Sequence, residues 1–343
     1  MITLEHLSCE IVGDPERPTA IVIARGATGA IGLGEAQPLP GRSPDTVAEC
    51  AAAVAAVQGA LPLPLSPATA LEAAGELAQA VAPRAPAARF AIETAILDLV
   101  ARTIGRSLAA VLVEHPARQV ATNALVRTAG DAAIAVARGH TTLKLKLAGD
   151  PVADLIRTRA IRAAIPREVA LRIDGNLTWA ASEVDARLAE LAGLAVEYVE
   201  EPAPGFAAAA RRRRPTPLAL DESLVDDHRE DWLDDALRGG AIAAVVLKPA
   251  LLGLVASLTI ARRATQLGVS AVVTHTFDGA IAVAAACELA RAIAALPGAP
   301  LRAHGLAPHS QLTVEVPQLR APAWACDIGR PGLGLDRREA GWA

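Results

Sequence analysis

Short apolar runs rich in β-branched residues recur along the middle of the chain and predict a series of strands. These runs begin near residues 120, 141, 169, 195, 217, 243, 270 and 301. Because side chains alternate between the two faces of a strand, Lys144 and Lys146 of the run "TTLKLKL" share one face. Two ammonium groups on one face of an apolar strand need neutralising partners, since burying an unpaired charge is costly.

Alanine-rich segments with apolar residues at helical spacing separate these runs, as in residues 152–165 and 181–194. Strands that alternate with helices predict an α/β fold, here a modified TIM barrel of the (β/α)7β type over residues 119–310. An open doubly wound sheet is the competing topology. It is usually marked by a glycine-rich first turn, which this sequence lacks.

The two ends of the chain follow other patterns. Strand-like runs at 1–13 and 19–36 precede helical stretches at 45–60 and 86–104. They predict an α+β capping domain over residues 1–118, outside the barrel. Residues 311–343 lack the barrel period, and we expect them to pack back on the capping domain and complete it.

Composition narrows the range of partners. The chain is 52% hydrophobic and 20% charged, with a net charge of -4, so it has no basic surface for nucleic acid or anionic membranes. No signal segment opens the sequence and no apolar run is long enough to span a membrane. The four cysteines are far apart without CxxC spacing, which indicates reduced thiols and a cytoplasmic protein. We expect a small molecule as the partner, and a homo-oligomer is compatible with the sequence.

Charged residues stand where the predicted strands end, which is the edge of such barrels that carries the active site. In chain order they are Lys144 and Lys146, Asp174, Glu200, Asp221 and Lys248. One carboxylate at a strand end is more often a helix cap, but three on consecutive strands indicate a site. Crowded carboxylates raise one another's pKa unless a cation joins them, and purely oxygen ligands suit Mg²⁺ before Zn²⁺.

This order of strand-end residues resembles the enolase superfamily, and within it the muconate-lactonizing subgroup. The segment "PAARFAIETAILDLVARTIGRSL" at 86–108 is similar to the helix that closes that family's capping domain. The resemblance covers nearly the whole chain. It implies that Asp174, Glu200 and Asp221 bind Mg²⁺.

The resemblance also implies roles for the three lysines. Lys146 is expected to be the acid/base on one face of the substrate. Lys144, beside it, would lower its proton affinity together with the metal. Lys248 would lie against the opposite face.

The surroundings of these residues are similar to o-succinylbenzoate synthases. The loop "GLGEAQPLPGRSPDT" at 32–46 resembles their mobile substrate loop, and Arg172 and Asn176 flank Asp174 as they do there. The run "VVTHTFDG" is also similar. Together these segments imply a substrate-binding set and a supporting pair, which are Arg172, Asn176, Thr274, His275 and Thr276, and Glu222 with Asp278. His275 and Asp278 depart from the family pattern, which commonly has small hydroxyl residues and a Glu at these places.

The resemblance implies a small-molecule carboxylate as the substrate and a Mg²⁺-dependent dehydratase that makes o-succinylbenzoate, a menaquinone precursor. The alternative is a racemase of N-acylamino acids or an epimerase of dipeptides, in which Lys146 and Lys248 act as bases on opposite faces. Dipeptide epimerases usually carry an acidic pair after strand eight, whereas this chain has "LRAHGLAPHS" there. A catalytically idle binding or structural barrel is a third hypothesis, and its mark would be loss of one of the six positions.

Overall fold

The computed structural model describes residues 1–207, 210, 212–312, 314–320, 325–326, 330–336 and 338–339. The N-terminal unit contains β1 (Ile2–Asp14), β2 (Arg17–Gly26), β3 (Ile31–Ala36), α1 (Val47–Ala56), β4 (Leu63–Leu65), α2 (Ala70–Val81), α3 (Pro86–Thr103) and α4 (Ala109–Leu112). Its strands form an antiparallel sheet in the order β3-β2-β1-β4. The run at 19–36 is therefore a hairpin rather than one strand, and β4 and α2 are elements that the apolar pattern did not predict.

The central part of the chain alternates strands and helices. Its elements are β5 (Ala124–Val126), α5 (Ala129–Ala137), β6 (Thr142–Lys146), α6 (Pro151–Ala164), β7 (Ala170–Asp174), α7 (Val184–Leu191), β8 (Val196–Glu200), β9 (Leu218–Leu220), α8 (Arg229–Arg238), β10 (Ile242–Leu247), α9 (Pro249–Leu252), α10 (Leu254–Gln266), β11 (Ser270–Val273) and α11 (Ala280–Ile293). Capping follows the sequence: Thr128 and Asp131 form a capping box at α5, and Asp150 caps α6.

Among the described residues, seven parallel strands, β5 to β11, stand side by side in chain order. The eighth predicted strand, near 301, forms isolated parallel bridges instead, from His304 to Thr122 and from Gly305 to Thr274. These bridges join the two edges of the curled sheet. The α/β barrel prediction is confirmed, with its last strand reduced to a short closing segment.

The interior of the barrel has its own small apolar layer. Tyr198, Ala219, Ala244, Val246 and Val272 form a cluster separate from the main core between strands and helices. Four of these five side chains are small or aliphatic, and the ring of the fifth, Tyr198, has its centroid 5.0 Å from the guanidinium carbon of Arg172. The charged ends of the strands lie on one side of it.

Helix α3 packs directly on the backbone of β3. A Cβ at Gly34 would lie 1.9 Å from the carbonyl oxygen of Ala91, and one at Gly32 would lie 2.1 Å from that of Ala95. The two glycines of "GLGEA" therefore allow a contact that any side chain would prevent.

Two buried carboxylates of the N-terminal unit cap helices of the barrel. Oε2 of Glu35 accepts from the backbone N–H groups of Ile281 (3.0 Å) and Ala282 (3.1 Å) at the start of α11. Oε2 of Glu93 accepts from Leu254 (2.6 Å) and Val255 (3.1 Å) at the start of α10. A carboxylate at a helix N-terminus satisfies donors that the helix leaves unpaired.

These contacts predict a pH dependence of stability. Burial raises the pKa of Glu93 to about 7, although the backbone N–H groups of Val255 and Leu254 and the charge of Arg89 oppose the rise. A raised pKa in the folded state means that protonation favours folding. The resulting stabilisation is complete below the unfolded pKa of about 4.5 and is lost as the pH rises through 7. It amounts to about 3 kcal/mol of unfolding free energy.

We therefore expect Glu93→Gln to flatten the fall in melting temperature between pH 5 and 7.5, because the amide keeps the acceptor but does not titrate. Thermal unfolding followed by circular dichroism at several pH values measures this slope. The control is Glu72→Gln, an exposed position in the first turn of α2, which should keep the wild-type slope. An unchanged slope in Glu93→Gln contradicts the prediction.

The described part of the tail contacts the N-terminal unit. The backbone N–H of Leu333 donates to Oδ1 of Asp98 on α3 (2.7 Å), and Gly332 exchanges backbone hydrogen bonds with Arg106 and Leu108. The tail also holds β12 (Leu319–Arg320) and β13 (Ala325–Cys326), which pair antiparallel. Much of the predicted 311–343 segment lies outside the described residues, and the boundaries at 118 and 310 stay predictions. In the part of the chain that the structure describes, no helix is long and apolar enough to cross a membrane.

Candidate active site

The register of the parallel strands brings the three predicted carboxylates together. Lys146 on β6 pairs with Asp174 on β7, and Asp174 pairs with Glu200 on β8. Glu200 pairs in turn with Ala219 on β9, two residues before Asp221. All three carboxylates are buried, and Glu200 is fully inaccessible to solvent. They form a row across the end of the barrel, as the sequence predicts.

Lys144 joins two members of this row. Its Nζ lies 2.8 Å from Oε1 of Glu200 and 3.1 Å from Oδ2 of Asp174. Burial alone would lower the pKa of Lys144, but the carboxylates of Glu200, Asp174 and Asp221 raise it above its ordinary value. Lys144 is thus held as an ammonium group, and its positive charge neutralises the first two carboxylates.

Lys248 makes the corresponding contacts at the other flank. Its Nζ donates to Oδ2 of Asp221 and lies 3.7 Å from Oε1 of Glu222. Burial favours the neutral amine, but the charges of Asp221 and Glu222 raise the pKa of Lys248. The three carboxylates therefore stand between two ammonium groups from strands on either side.

Lys146 differs from the other two lysines. It is the last residue of β6 and is exposed, while its neighbours Leu145 and Leu147 are buried. Within the described residues, no hydrogen bond or ion pair involves its Nζ. Lys146 is consequently an amine open to a ligand at the mouth of the barrel.

The residues fit a hard cation by their chemistry and by one unsatisfied atom. Oε2 of Glu200 is buried and has no hydrogen-bond partner among the described residues. Burial raises the pKa of Glu200, Lys144 opposes that rise, and the charge of Asp221 adds to it. Adjacent carboxylates with a free buried oxygen are what a divalent cation with oxygen ligands would stabilise.

The side chains are nevertheless not arranged as a coordination sphere. Within the described ranges, no three carboxylate, imidazole or thiol groups are gathered as the ligands of one metal ion. Asp174 and Asp221 each turn an oxygen to a lysine instead. The metal-ligand roles of Asp174, Glu200 and Asp221 stay predictions that these contacts support.

Glu201 is a supporting residue that the sequence analysis missed. Its Oε2 accepts from the backbone N–H of Asp221 (2.7 Å) and of Ser223 (3.2 Å), and its Oε1 accepts from Oγ of Ser223. Strand alternation turns Glu201 away from the side that carries Glu200. The left-handed backbone at this residue (φ +34°) ends β8 and lets its carboxylate hold the end of β9. No pattern in the sequence predicts a left-handed backbone at a glutamate.

Arg42 brings the predicted substrate loop of the N-terminal unit to the site. Its guanidinium donates to Oδ1 of Asn176 (3.3 Å) and lies 3.5 Å from Oε1 of Glu222. Asn176, in turn, donates its backbone N–H to Oδ1 of Asp174 (3.0 Å). Asn176 and Glu222 therefore link the loop to a metal-ligand candidate and to Lys248. The sequence marked this loop by resemblance but did not single out Arg42.

Arg172, predicted as a substrate contact, is buried inside the barrel and bonded to other protein groups. It is 1% exposed, and its guanidinium pairs with Glu197 and donates to the carbonyl oxygen of Ala303 (2.7 Å). A shift of register before Arg172 lets Glu197 reach it. These contacts bind β7 to the segment that closes the barrel. A substrate contact of Arg172 stays a prediction.

Thr274, His275 and Thr276 follow β11 at the same end of the barrel. Oγ1 of Thr274 donates to the carbonyl oxygen of Gly305 (3.0 Å), and Nε2 of His275 lies 3.1 Å from that of Ala307. Asp278 accepts from the backbone N–H (2.9 Å) and the hydroxyl (2.7 Å) of Thr276. Asp278 thus holds the loop after β11, the strand that pairs with β10 just before Lys248.

The positions of the lysines are a sequence signal that locates this site. Lys144, Lys146 and Lys248 are the only lysines among 33 basic Lys and Arg residues. Arginine cannot lose its proton at physiological pH, whereas a lysine amine can. Because every other basic Lys or Arg residue of the chain is arginine, the side chains that can act as an amine base occur only at these strand ends.

The comparisons with known proteins agree with this architecture. Residues 127–340 match the family model described as Enolase C-terminal domain-like. The chain belongs to this family. This membership in the enolase superfamily supports an enzymatic function, and the solved structures described next share the barrel with its N-terminal domain.

Relatives within the enolase superfamily carry more than one activity in their names. An o-succinylbenzoate synthase of Mycobacterium ulcerans is 35% identical over 161 residues, which is 45% of this chain and 47% of the relative. An L-Ala-D/L-Glu epimerase of Clostridium acetobutylicum is 34% identical over 122 residues, 34% of each chain. The chain thus spans about half or less of the length of the curated relatives it matches.

A solved structure covers more of the chain. The dipeptide epimerase of Methylococcus capsulatus, complexed with Mg ion, covers 97% of this chain and 99% of its own at 25% identity and a TM-score of 0.76. The fold is therefore that of the enolase superfamily throughout. Within the superfamily, the reaction and the metal of this chain are matters for proposal.

Proposed function

We propose that this protein is a Mg²⁺-dependent dehydratase that converts 2-succinyl-6-hydroxy-2,4-cyclohexadiene-1-carboxylate to o-succinylbenzoate. The observation that carries the proposal is the contrast between the lysines: Lys146 is exposed and unpaired within the described residues, while Lys248 is bound to Asp221 and Glu222. A syn elimination needs one base, whereas racemisation needs one on each face. The similarity to an o-succinylbenzoate synthase supports the same choice.

Asp174, Glu200 and Asp221 would hold Mg²⁺, which supplies positive charge for the negative charge that develops on the substrate carboxylate. Neutral Lys146 takes the proton from the carbon next to that carboxylate, and the C–H electrons are released into the ring. The same ammonium then gives the proton to the departing hydroxyl as the C–O bond breaks. One water leaves and the ring becomes aromatic.

The other two lysines contribute charge in this mechanism. Lys144, held by Glu200 and Asp174, keeps a positive charge on the face of β6 that also carries Lys146. Lys248 faces the planar anion with an ammonium group fixed by Asp221 and can attract it by a cation–π contact.

A racemase or epimerase of the same superfamily is the second candidate, supported by the epimerases among the similar proteins. The segment 301–310 has no Asp or Glu to hold a substrate ammonium group, which disfavours dipeptides but not N-acylamino acids. The idle barrel is disfavoured because all six charged positions are present.

Activity assays with two kinds of substrate distinguish the dehydratase, the racemase or epimerase, and the idle barrel. We expect the purified protein with Mg²⁺ to remove the ultraviolet absorbance of the cyclohexadiene carboxylate and to form o-succinylbenzoate. Incubation with N-succinyl amino acids in D₂O, followed by NMR, measures deuterium uptake at the α-carbon. Uptake without loss of the diene would favour the racemase, and inactivity in both assays would favour the idle barrel.

A further inference from the structure

Three rings, two of histidine and one of phenylalanine, stand together at the mouth of the barrel. The ring centroids of His275 and His309 are 4.6 Å apart, and the Phe277 ring meets His309 edge-on at 5.5 Å. We call His275, Phe277 and His309 the aromatic wall. Such tilted and edge-to-face contacts are the arrangement that ring quadrupoles favour.

The aromatic wall adjoins the proposed site. The backbone N–H of Thr274 donates to the carbonyl oxygen of Leu247 (2.9 Å), the residue before Lys248. Burial lowers the pKa of His275, Asp278 opposes this, and the ammonium charge of Lys144 lowers it further. The wall therefore lies within electrostatic reach of one lysine and follows the strand next to the other.

Phe277 has an unfavourable backbone conformation, and burial of its ring does not offset the cost. Its φ is +61°, a region that costs non-glycine residues free energy, and 44% of the residue is exposed. Its carbonyl oxygen accepts from the guanidinium of Arg17 (2.8 Å), and its N–H donates to Nδ1 of His275 (3.2 Å). The strained backbone therefore holds a partly exposed phenyl ring at the edge of the wall, where a ligand can contact it.

The wall offers rings without free polar atoms. In His275, Nε2 contacts the carbonyl oxygen of Ala307 and Nδ1 accepts from Phe277. In His309, Nε2 contacts the carbonyl oxygen of Asp278 (2.8 Å) and Nδ1 accepts from Gln311 (3.3 Å). Burial lowers the pKa of His309 to about 4, so this ring is neutral at pH 7. A ligand meets only carbon faces and edges there.

From this arrangement we propose that the aromatic wall is a subsite for a flat, apolar ring of the substrate, with the carboxylate directed to the lysines. The inference rests on the proposed function and deepens it, because it names the substrate class as planar ring carboxylates. Amides and ammonium groups of N-acylamino acids or dipeptides would lose hydrogen bonds to water against this surface without replacement.

The test is a matched pair of ligands measured by isothermal titration calorimetry with Mg²⁺ present. The pair is 4-oxo-4-phenylbutanoate and 4-cyclohexyl-4-oxobutanoate, which differ only in whether the ring is flat. We expect the wild type to bind the phenyl compound about 3- to 10-fold more tightly, the range of an aromatic pair contact. The preference cannot come from hydrophobicity alone, since the saturated ring has the larger apolar surface.

Two variants remove the flat ring in different ways. Phe277→Gly relieves the positive φ, and Phe277→Leu keeps apolar volume, so a folding defect would not affect both alike. Both should bind the two ligands with nearly equal affinity. Leu301→Ala, which changes another exposed apolar side chain just before the closing segment of the barrel, should keep the preference.

Equal affinities in the wild type, no binding of either ligand, or a preference that survives both Phe277 variants would overturn the aromatic wall as a subsite. These outcomes are independent of turnover. A protein that prefers the flat ring but leaves the cyclohexadiene carboxylate unchanged would contradict the dehydratase and keep the subsite. A protein that dehydrates the cyclohexadiene carboxylate but does not prefer the flat ring would support the dehydratase and contradict the subsite.

Discussion

Replacing Lys146 with alanine is expected to lower kcat for the loss of water from the cyclohexadiene carboxylate by about 10²- to 10⁴-fold, the usual contribution of a positioned acid/base. The change removes the amine that takes the proton and returns it to the hydroxyl. It should leave the melting temperature nearly unchanged, because Lys146 is exposed at the end of β6 and unpaired within the described residues. Steady-state kinetics with Mg²⁺ and thermal unfolding measure both effects.

Two further variants separate base chemistry from charge. Lys146→Arg keeps a cation at the position but cannot be deprotonated, so it should be as inactive as Lys146→Ala. Arg159→Ala removes an exposed cation from α6 and should leave kcat unchanged. Activity of Lys146→Arg near the wild-type level would show that charge, rather than proton transfer, is what this residue supplies.

Mg²⁺ is expected to raise the melting temperature of the wild type, and Asp221→Asn is expected to abolish the increase. A ligand at 100 times its Kd stabilises the folded state by about 2.7 kcal/mol, which corresponds to a shift of roughly 4 °C in a protein of this size. Asp221 is buried beside Glu200 and Lys248, so the amide keeps the shape of the side chain but removes a charged oxygen ligand. Differential scanning calorimetry across a Mg²⁺ titration measures the shift.

The matched control is Asp234→Asn, a carboxylate on α8 that pairs with Arg238 and Arg263 on the outer surface of the barrel. It should lower stability slightly, as surface ion pairs do, and keep the full response to Mg²⁺. If Asp221→Asn responds like the wild type, Asp221 is not a ligand. If the wild type does not respond, the Mg²⁺ site is wrong.

The row of charges can be predicted from the direction and the order of the strands alone. Once the strands are parallel and consecutive, their carboxyl ends share one edge, so Asp174, Glu200 and Asp221 must be neighbours. Periodicity also located both helices predicted in the N-terminal unit. It could not separate the hairpin at 19–36 into β2 and β3, because the connecting residues 27–30 include no Pro, Asn or Asp that would mark a turn.

The periodicity of the sequence does not predict contacts between distant segments. Arg42 reaches Glu222 across 180 residues, and Glu35 caps a helix that begins 246 residues later. Glu201, at a positive φ, accepts from the backbone N–H of Asp221, and the guanidinium of Arg172 donates to the closing segment of the barrel. Each depends on where the backbone brings a partner, which no local pattern encodes.

By itself the sequence determined the alternating α/β barrel, the edge that carries charge, and the six charged residues that stand at this edge, since all of these follow from side-chain type and strand order. The tertiary structure alone decided which lysine is exposed, which carboxylates are neutralised, and that three rings meet at the mouth of the barrel. The reason is physical: a side chain's charge state and reach depend on burial and on partners, and both are set by packing between segments far apart in the chain.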